Sequence, residues 1–237
     1  MKVTPEADPD LGTTDRSAPE SFAALVGSLL SERGAKVATR RYAAGERLYR
    51  EEEPANALYV IRRGRVKITR CSAAGKESIL GFFGPGDFVG CCALLDAARL
   101  PCAAEAVEPT EVLYLSRAEF LQLARAHPEL AMGALQQVTA LLRGSHHKVH
   151  DLALDSVERR IVTSLLELDQ RFGLNSVNGS RVIGCRITRQ DLAQMSGTTV
   201  ESASRAMSRL RRIGWIRSSR RGIVLVSPAE LALSLTR

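Results

Sequence analysis

Thr188–Leu210 reads TRQDLAQMSGTTVESASRAMSRL, and this stretch decides the fold. Thr188 followed by Asp191 is a capping box, so a helix opens here. Ser196-Gly197-Thr198 breaks it, glycine supplying the sharp turn between two crossing helices. Thr198 with Glu201 is expected to cap the second helix, which runs to about Arg212. On that helix Val200, Ala203, Ala206, Met207 and Leu210 share one face, predicted to be buried. Glu201, Ser204, Arg205, Ser208 and Arg212 share the other. A small-residue core beneath a polar and basic face is what a helix needs to enter the major groove of DNA. Arg205 can bond bidentately to guanine O6 and N7, Glu201 can accept from cytosine N4, and Ser204 can approach a base edge. Glu201 and Arg205, four apart, can also pair with each other. Taken singly, Glu201 reads as a cap and Arg205 as a surface residue. The whole constellation reads as a recognition helix.

Working outward, Gly214 precedes two short strands, Trp215–Arg217 and Ile223–Val226, joined by a turn that carries Arg220 and Arg221. This is a hairpin wing with a basic tip, placed to meet backbone phosphates. Upstream, 156–172 is a helix introduced by Asp155 with Glu158 as the reciprocal cap. A polar loop follows over 173–180, then a strand over Arg181–Ile187. Residues 156–237 therefore form a winged helix-turn-helix unit. Charge agrees with that reading: this unit holds 14 Arg, no Lys and six acids, a net of +8, while the preceding 155 residues hold 19 basic and 20 acidic groups. Clustered arginine attracts phosphates and releases their counterions. On charge alone a well-solvated basic surface fits equally well.

Ahead of that unit lies a regular apolar rhythm. Ala131, Leu135, Val138, Leu142, Ser145, Val149 and Leu152 are spaced alternately four and three apart, a heptad seam of about three turns of the repeat, which argues for a two-helix coiled coil. Leu130, Ala134 and Leu141 offer a second edge, on which the same helix can lie against its own domain. Residues 128–155 are thus assigned to a dimerisation helix and hinge, with Pro128 in its first turn.

From residue 35 to 116 the texture is different. Ala57–Arg63, Arg65–Cys71, Glu77–Phe83 and Glu111–Ser116 are short β-rich runs divided by Gly45, Gly64, Gly75, Gly84 and Gly86. Such spacing predicts a small barrel, jelly roll or β-roll. With a short amphipathic helix over Ser21–Glu32, residues 21–127 make a sensor-sized domain. Met1–Glu20 is polar and reads as a flexible tail. No apolar run is long enough to span a bilayer, and the opening residues lack the basic start and greasy centre of a signal peptide. A cytoplasmic location is expected. The five cysteines, an odd number with no CxxC spacing, are then not structural disulfides.

These residues resemble the Crp/Fnr superfamily of bacterial transcription regulators, from about Phe22 to the C-terminus. The resemblance is carried by Leu58–Gly64 (LYVIRRG), Gly84–Gly90 (GPGDFVG), Ala104-Glu105-Ala106 and Thr188–Ala193 (TRQDLA). Thr199–Arg205 (TVESASR) is similar to the fumarate-and-nitrate-reduction branch, in which Glu, Ser and Arg of this pattern read a TTGAT-type half-site. The resemblance implies an α+β chain: a cyclic-nucleotide-binding-like β-roll (a double-stranded β-helix), a long dimer helix and a C-terminal winged helix-turn-helix. It assigns base reading to Glu201, Ser204 and Arg205, flanked by Thr199, Val200 and Ser208, and backbone contacts to Arg189 and Gln190. It further implies a homodimer on palindromic duplex DNA, acting as an activator through contacts to RNA polymerase, with no membrane partner.

The effector pocket implied by the resemblance spans Gly86, Asp87, Gly90, Cys91, Cys92, Leu100, Pro101 and Cys102. Relatives that bind cyclic AMP place Glu directly after the Gly-Asp-Phe-x-Gly element, for the ribose, and an Arg-Ser or Arg-Thr pair about ten residues on, for the phosphate. Cys91 stands at the first position and Leu100-Pro101 at the second. A phosphate buried without its arginine is uncompensated, which disfavours cyclic AMP. Cluster-bearing relatives ligate iron–sulfur with N-terminal cysteines, whereas the first cysteine here is Cys71. Four readings of Cys91, Cys92 and Cys102 stay open: small buried hydrophobes, redox or nitrosative sensors, a haem ligand, although no His precedes His127, or ligands of another metal. His146, His147 and His150 read as solvated. Two other functions compete: a thiol enzyme, for which no base neighbours Cys91 in sequence, and an effector-free architectural DNA-binding protein.

Overall fold

The computed structural model describes residues 22, 26–28, 38–91, 99–176, 179–219 and 222–235. The expected tail, most of the helix over 21–32, Cys92 and the wing-tip arginines 220 and 221 lie outside the described residues.

Eight strands build the N-terminal half: β1 (Ala38–Tyr42), β2 (Arg47–Tyr49), β3 (Ala57–Arg63), β4 (Val66–Cys71), β5 (Glu77–Phe83), β6 (Phe88–Val89), β7 (Ala103–Ala106) and β8 (Thr110–Ser116). They form two antiparallel sheets in the orders β1-β8-β3-β6 and β2-β7-β4-β5, the expected β-roll. β3 shows why its sequence, ALYVIRR, does not alternate. Ala57, Tyr59 and Ile61 point into the roll, while Leu58 and Val60 point outward against helices, so both faces are buried. Tyr59 sits between Tyr49 and Tyr114, with ring centroids 5.4 and 5.5 Å away.

Helix α1 (Arg117–Ala126) begins with a capping box between Ser116 and Glu119. Helix α2 (Pro128–Leu154) has proline in its first turn and runs for 27 residues. Its buried edge is the second stripe identified above: Leu130 and Ala134 pack with Leu58, Leu113, Phe120 and Phe22, and Leu141 meets the roll interior. The heptad seam is on the other side. Leu135, Leu142 and Val149 are 58%, 56% and 67% exposed in the single chain.

The C-terminal half comprises α3 (Val157–Phe172), β9 (Gly173–Asn175), β10 (Arg181–Ile183), α4 (Arg189–Met195), α5 (Val200–Arg212), β11 (Ile216–Ser219), β12 (Gly222–Leu225) and α6 (Pro228–Ser234). Its sheet runs β11-β12-β10-β9. Four local expectations are corrected here. The cap of α3 is Ser156, not Asp155; Asp155 ends α2 and accepts from Arg159 Nε at 3.0 Å. Gly173–Asn175 is a strand rather than loop, because its backbone pairs with β10, and Ser176 N–H donates to the Ser180 carbonyl beyond it. β10 stops at Ile183, where its partner strand begins: Gly184 N–H still reaches the Phe172 carbonyl in the same register, but Phe172 is the last residue of α3. The cap of α5 is Thr199, not Thr198.

The two halves share one core. Ile79 and Phe82 of β5 are buried with Ile161, Leu165, Leu192 and Leu210 of the C-terminal helices. Phe172 closes the junction: a Cβ on Gly84 would lie 2.8 Å from its ring, and the Arg65 guanidinium sits over it at 5.1 Å. Arg171 donates to the Phe82 carbonyl and to Asp87, and Lys148 to the Ile79 carbonyl. Trp215, the one tryptophan of the chain, lies in the C-terminal half and packs against this core. Ile79→Ala, a change in the roll, is therefore expected to lower the urea midpoint read by Trp215 fluorescence, at a cost of about 2–5 kcal/mol. An unmoved Trp215 transition would show that the core is not shared.

Candidate nucleic-acid interface

The capping box that opens α4 is complete. Asp191 accepts from the Thr188 N–H at 2.8 Å and from its hydroxyl at 2.6 Å, and Asp191 N–H donates back to Thr188 Oγ1 at 3.0 Å. Arg189 and Gln190, one and two residues on, are exposed. Ser196 ends α4, and Gly197 follows at φ +58°, a left-handed conformation that favours glycine. The turn is locked from α3: Arg160 Nε donates to the Ser196 carbonyl at 2.8 Å, and the Ser164 and Ser196 hydroxyls are 3.0 Å apart in a buried setting. Neither Arg160 nor Ser164 stood out in the sequence, because a partner 36 or 32 positions away leaves no local signal.

Helix α5 buries Ala203, Ala206, Met207 and Leu210, with Val200 half-buried against the same core. Glu201, Arg205, Ser208 and Arg212 are exposed and Ser204 is partly so, which is the expected division of faces. The expected Glu201–Arg205 pair is not formed. Arg205 instead donates to Ser202 Oγ at 3.2 Å, and the Ser202 N–H donates to the N-cap Thr199 hydroxyl. A short hydroxyl is one turn back from Arg205 and costs little desolvation, so the guanidinium stays in solvent and free to be redirected. Arg209 pairs with Glu158 at 3.1 Å, fastening the far end of α5 to α3. The wing strands β11 and β12 pair from Ile216–Leu225 to Ser219–Gly222, with Arg217 exposed beside them.

The described residues expected to hold an effector line more than one side of the roll. Asp87 accepts from Gly84 N–H at 3.0 Å and from Arg171 at 3.3 Å, so it both closes its turn and reaches α3. Gly86 and Gly90 have φ of +99° and +86°, and a Cβ on Gly90 would meet the Ala57 carbonyl at 2.7 Å. Cys91 packs on the helix-facing side of the roll, whereas Cys102 packs in its interior, so these two thiols belong to different clusters. Leu100 is buried in the interior and Pro101 is exposed. Sequence reasoning missed Gln137 of α2, whose amide donates to the Phe88 carbonyl at 2.8 Å and accepts from its N–H at 3.3 Å. It clips the long helix onto the Gly84–Gly90 element. Leu152, expected in the dimer seam, also touches its own chain: a Cβ on Gly197 would lie 2.7 Å from Leu152 Cδ2.

A β-roll joined through a long helix to a winged helix-turn-helix defines the class of two-part, DNA-binding regulators. A cyclic nucleotide-binding domain model matches residues 39–127, and a Crp-like helix-turn-helix domain model matches 159–233. The chain is 28% identical over 188 residues to a CRP-like cAMP-activated global transcriptional regulator of Mycobacterium tuberculosis, covering 79% of this chain and 84% of that one. It is 30% identical over 178 residues to the cyclic AMP receptor protein of Thermus thermophilus, covering 75% and 79%. Among solved structures, FixK2 from Bradyrhizobium japonicum superposes with a TM-score of 0.73 at 28% identity, covering 83% of this chain and 96% of that one. The chain belongs to the Crp/Fnr family of DNA-binding transcription regulators. No described helix is long and apolar enough to cross a membrane.

The thiols differ in environment. Cys71 is exposed, and burial pushes the Cys185 thiol up to about 12, so it is not a thiolate near neutrality. Brief iodoacetamide treatment of the native chain, mapped by mass spectrometry, is expected to alkylate Cys71 and to spare Cys185 until denaturant is added. Equal labelling of the two would contradict the packing.

Proposed function

We propose that the chain acts as a cytoplasmic homodimer that binds a palindromic site with TTGAT-like halves, under control of a signal at the β-roll other than cyclic AMP. Glu201, Ser204 and Arg205 read bases, with Thr199, Val200 and Ser208 beside them. Arg189, Gln190, Arg220 and Arg221 hold backbone phosphates, which position the helix without specifying sequence. The observation that carries this reading is the solvent-facing Glu201/Ser204/Arg205 side of α5 over a buried small-residue face.

Dimerisation is supported by the exposed seam on α2. Ala131, Leu135, Val138, Leu142, Ser145 and Val149 leave an apolar stripe in water in a single chain, and a second α2 against it buries that stripe. Leu152 is half-exposed and serves its own turn as well as the seam. A two-fold partner places two recognition helices one helical turn of DNA apart. RNA polymerase is the partner expected at an activated promoter.

The names of the relatives point to cyclic AMP as the signal. The residues point elsewhere. Leu100 fills the roll interior at the position where nucleotide-binding relatives carry arginine, and Cys91 replaces the ribose-binding glutamate. A phosphate at that position meets leucine in place of arginine.

Selection of DNA sites from a random library, run with reductant, with oxidant and with cyclic AMP, tests the whole reading. The expected product is a TTGAT-containing palindrome whose enrichment is indifferent to cyclic AMP. Arg205→Ala is expected to cost about 1–3 kcal/mol in binding and to relax the preference at the guanine position. An even loss across scrambled sites would assign base reading to another residue. Leu142→Asp puts a charge in the seam and is expected to give monomers by analytical ultracentrifugation, with DNA affinity falling in parallel. A variant that sediments as a dimer refutes the seam.

A further inference from the structure

We propose that Lys76, at the tip of the β4–β5 hairpin, is a DNA-backbone contact supplied by the sensor half of the molecule. The inference rests on the DNA interface proposed above and extends it beyond the helix-turn-helix.

The hairpin tip is a built turn. Gly75 N–H donates to the Ser72 carbonyl and Ser72 N–H to the Lys76 carbonyl, both at 2.9 Å, while Lys76 N–H donates to Ser72 Oγ at 3.2 Å. Gly75 takes φ +75°, which a residue with a side chain adopts only under strain. The turn is fixed to the DNA-binding half immediately beside Lys76. Glu77 accepts from Gln194 of α4 at 3.1 Å, and Ile79 is buried in the shared core. Deeper along the hairpin, Lys67 lies 3.9 Å from Asp191, the capping carboxylate of α4.

That attachment opens a cleft of about 1140 Å³ between hairpin and helix-turn-helix. Arg70 and Lys76 line one side, and Gln190, Thr198, Thr199 and Val200 line the other. A recognition helix meets the major groove with its N-terminal residues. The phosphates flanking that end of α5 therefore pass the mouth of this cleft, with the hairpin tip on the far bank. Of the charges on the hairpin, Arg70 is paired with Glu51 at 3.4 Å and Glu77 is occupied by Gln194. Lys76 is exposed, and among the described residues no carboxylate lies within ion-pair distance of its ammonium. An ammonium in that state gains a phosphate without first giving up an acid.

The test compares the full-length chain with Lys76→Ala, Lys76→Arg and Lys76→Glu, by fluorescence anisotropy on two labelled duplexes, one with a TTGAT palindrome and one scrambled, over a series of salt concentrations. Lys76→Ala is expected to flatten the slope of log affinity against log salt by about 0.9 for each half-site engaged. The same flattening is expected on both duplexes. Lys76→Arg should keep the wild-type slope and Lys76→Glu should fall below Lys76→Ala. The side chain is exposed, so the Trp215 unfolding transition should not move, which separates lost contact from lost fold. A wild-type slope in Lys76→Ala overturns the proposal, as does tighter binding, which would make the hairpin an obstacle to DNA. A loss confined to the palindrome also overturns it. If the wild-type chain binds neither duplex, the underlying interface fails and Lys76 with it, an outcome distinct from normal wild-type binding with an indifferent Lys76.

Discussion

Burial of Ile79 and Phe82 among the C-terminal helices is the constraint from which the rest of the architecture follows. A strand of the roll completes the hydrophobic core of the DNA-binding half, so the two are not beads on a linker. Each such side chain contributes roughly 1.5–3 kcal/mol when fully withdrawn from water. The Arg171–Asp87 ion pair beside it is partly solvated and worth at most about 1 kcal/mol, and Lys67 comes only within 3.9 Å of Asp191. Apolar burial therefore holds the halves together, and the polar contacts set the angle at which they meet. Gly84 belongs to the same constraint. A side chain there would press on the Phe172 ring, and the junction would have to open.

This attachment governs how the basic C-terminal half meets DNA. Arginine is plentiful there, but much of it is committed to structure. Arg159 and Arg160 brace the start of α3, Arg181 clamps Asp169 and Asn175, and Arg209 is held by Glu158. Among the described residues, Arg205 and Arg212 remain exposed on α5 and form no ion pair. Arg205 stays on that face because its partner is the small, neutral Ser202 rather than Glu201. An ion pair would have to be broken before either residue could reach a base. A hydroxyl contact is exchanged at little cost.

Much of the fold was legible in the sequence, and the failures have specific causes. Ala57–Arg63 and Glu77–Phe83 were delimited correctly because turn residues bound their apolar β-formers, Pro54, Asn56 and Gly64 around the first and Gly75 and Gly84 around the second. β2, β6 and β9 escaped because two or three residues carry no periodicity, and β7 because Ala-Ala-Glu-Ala has no β-branched or aromatic member. Both misplaced caps fell one residue short. Asp155 and Ser156 are adjacent cap formers, as are Thr198 and Thr199, and only the backbone decides between neighbours. At Thr198 the N–H reaches back to the Ala193 carbonyl, which leaves Thr199 to take the extended conformation of a cap. The exposed face of α5 was legible because helical periodicity sorts it from the buried one. The contacts that position it were not. Gln194 and Glu77 are 117 residues apart, and Gln137 is 49 from Phe88. Nothing local in either sequence marks such a pair.

Those long-range contacts bear on how a signal at the roll reaches DNA. Asp87 and Phe88 are consecutive residues with different attachments: Asp87 bonds to Arg171 at the end of α3, and Phe88 is held through both backbone groups by Gln137 of α2. One side of this dipeptide therefore connects to the DNA-binding half and the other to the helix that carries the seam. Packed cores shift between discrete arrangements rather than deforming smoothly. A Cβ on Gly90 would lie 2.7 Å from the Ala57 carbonyl, so this turn is packed closely on β3. On the proposed reading, a displacement of the turn is felt at Arg171, at Gln137 or at both. Under the proposed function the chemistry of the effector is in this respect secondary, since thiol oxidation and a bound ligand at the cassette have the same two attachments to act on.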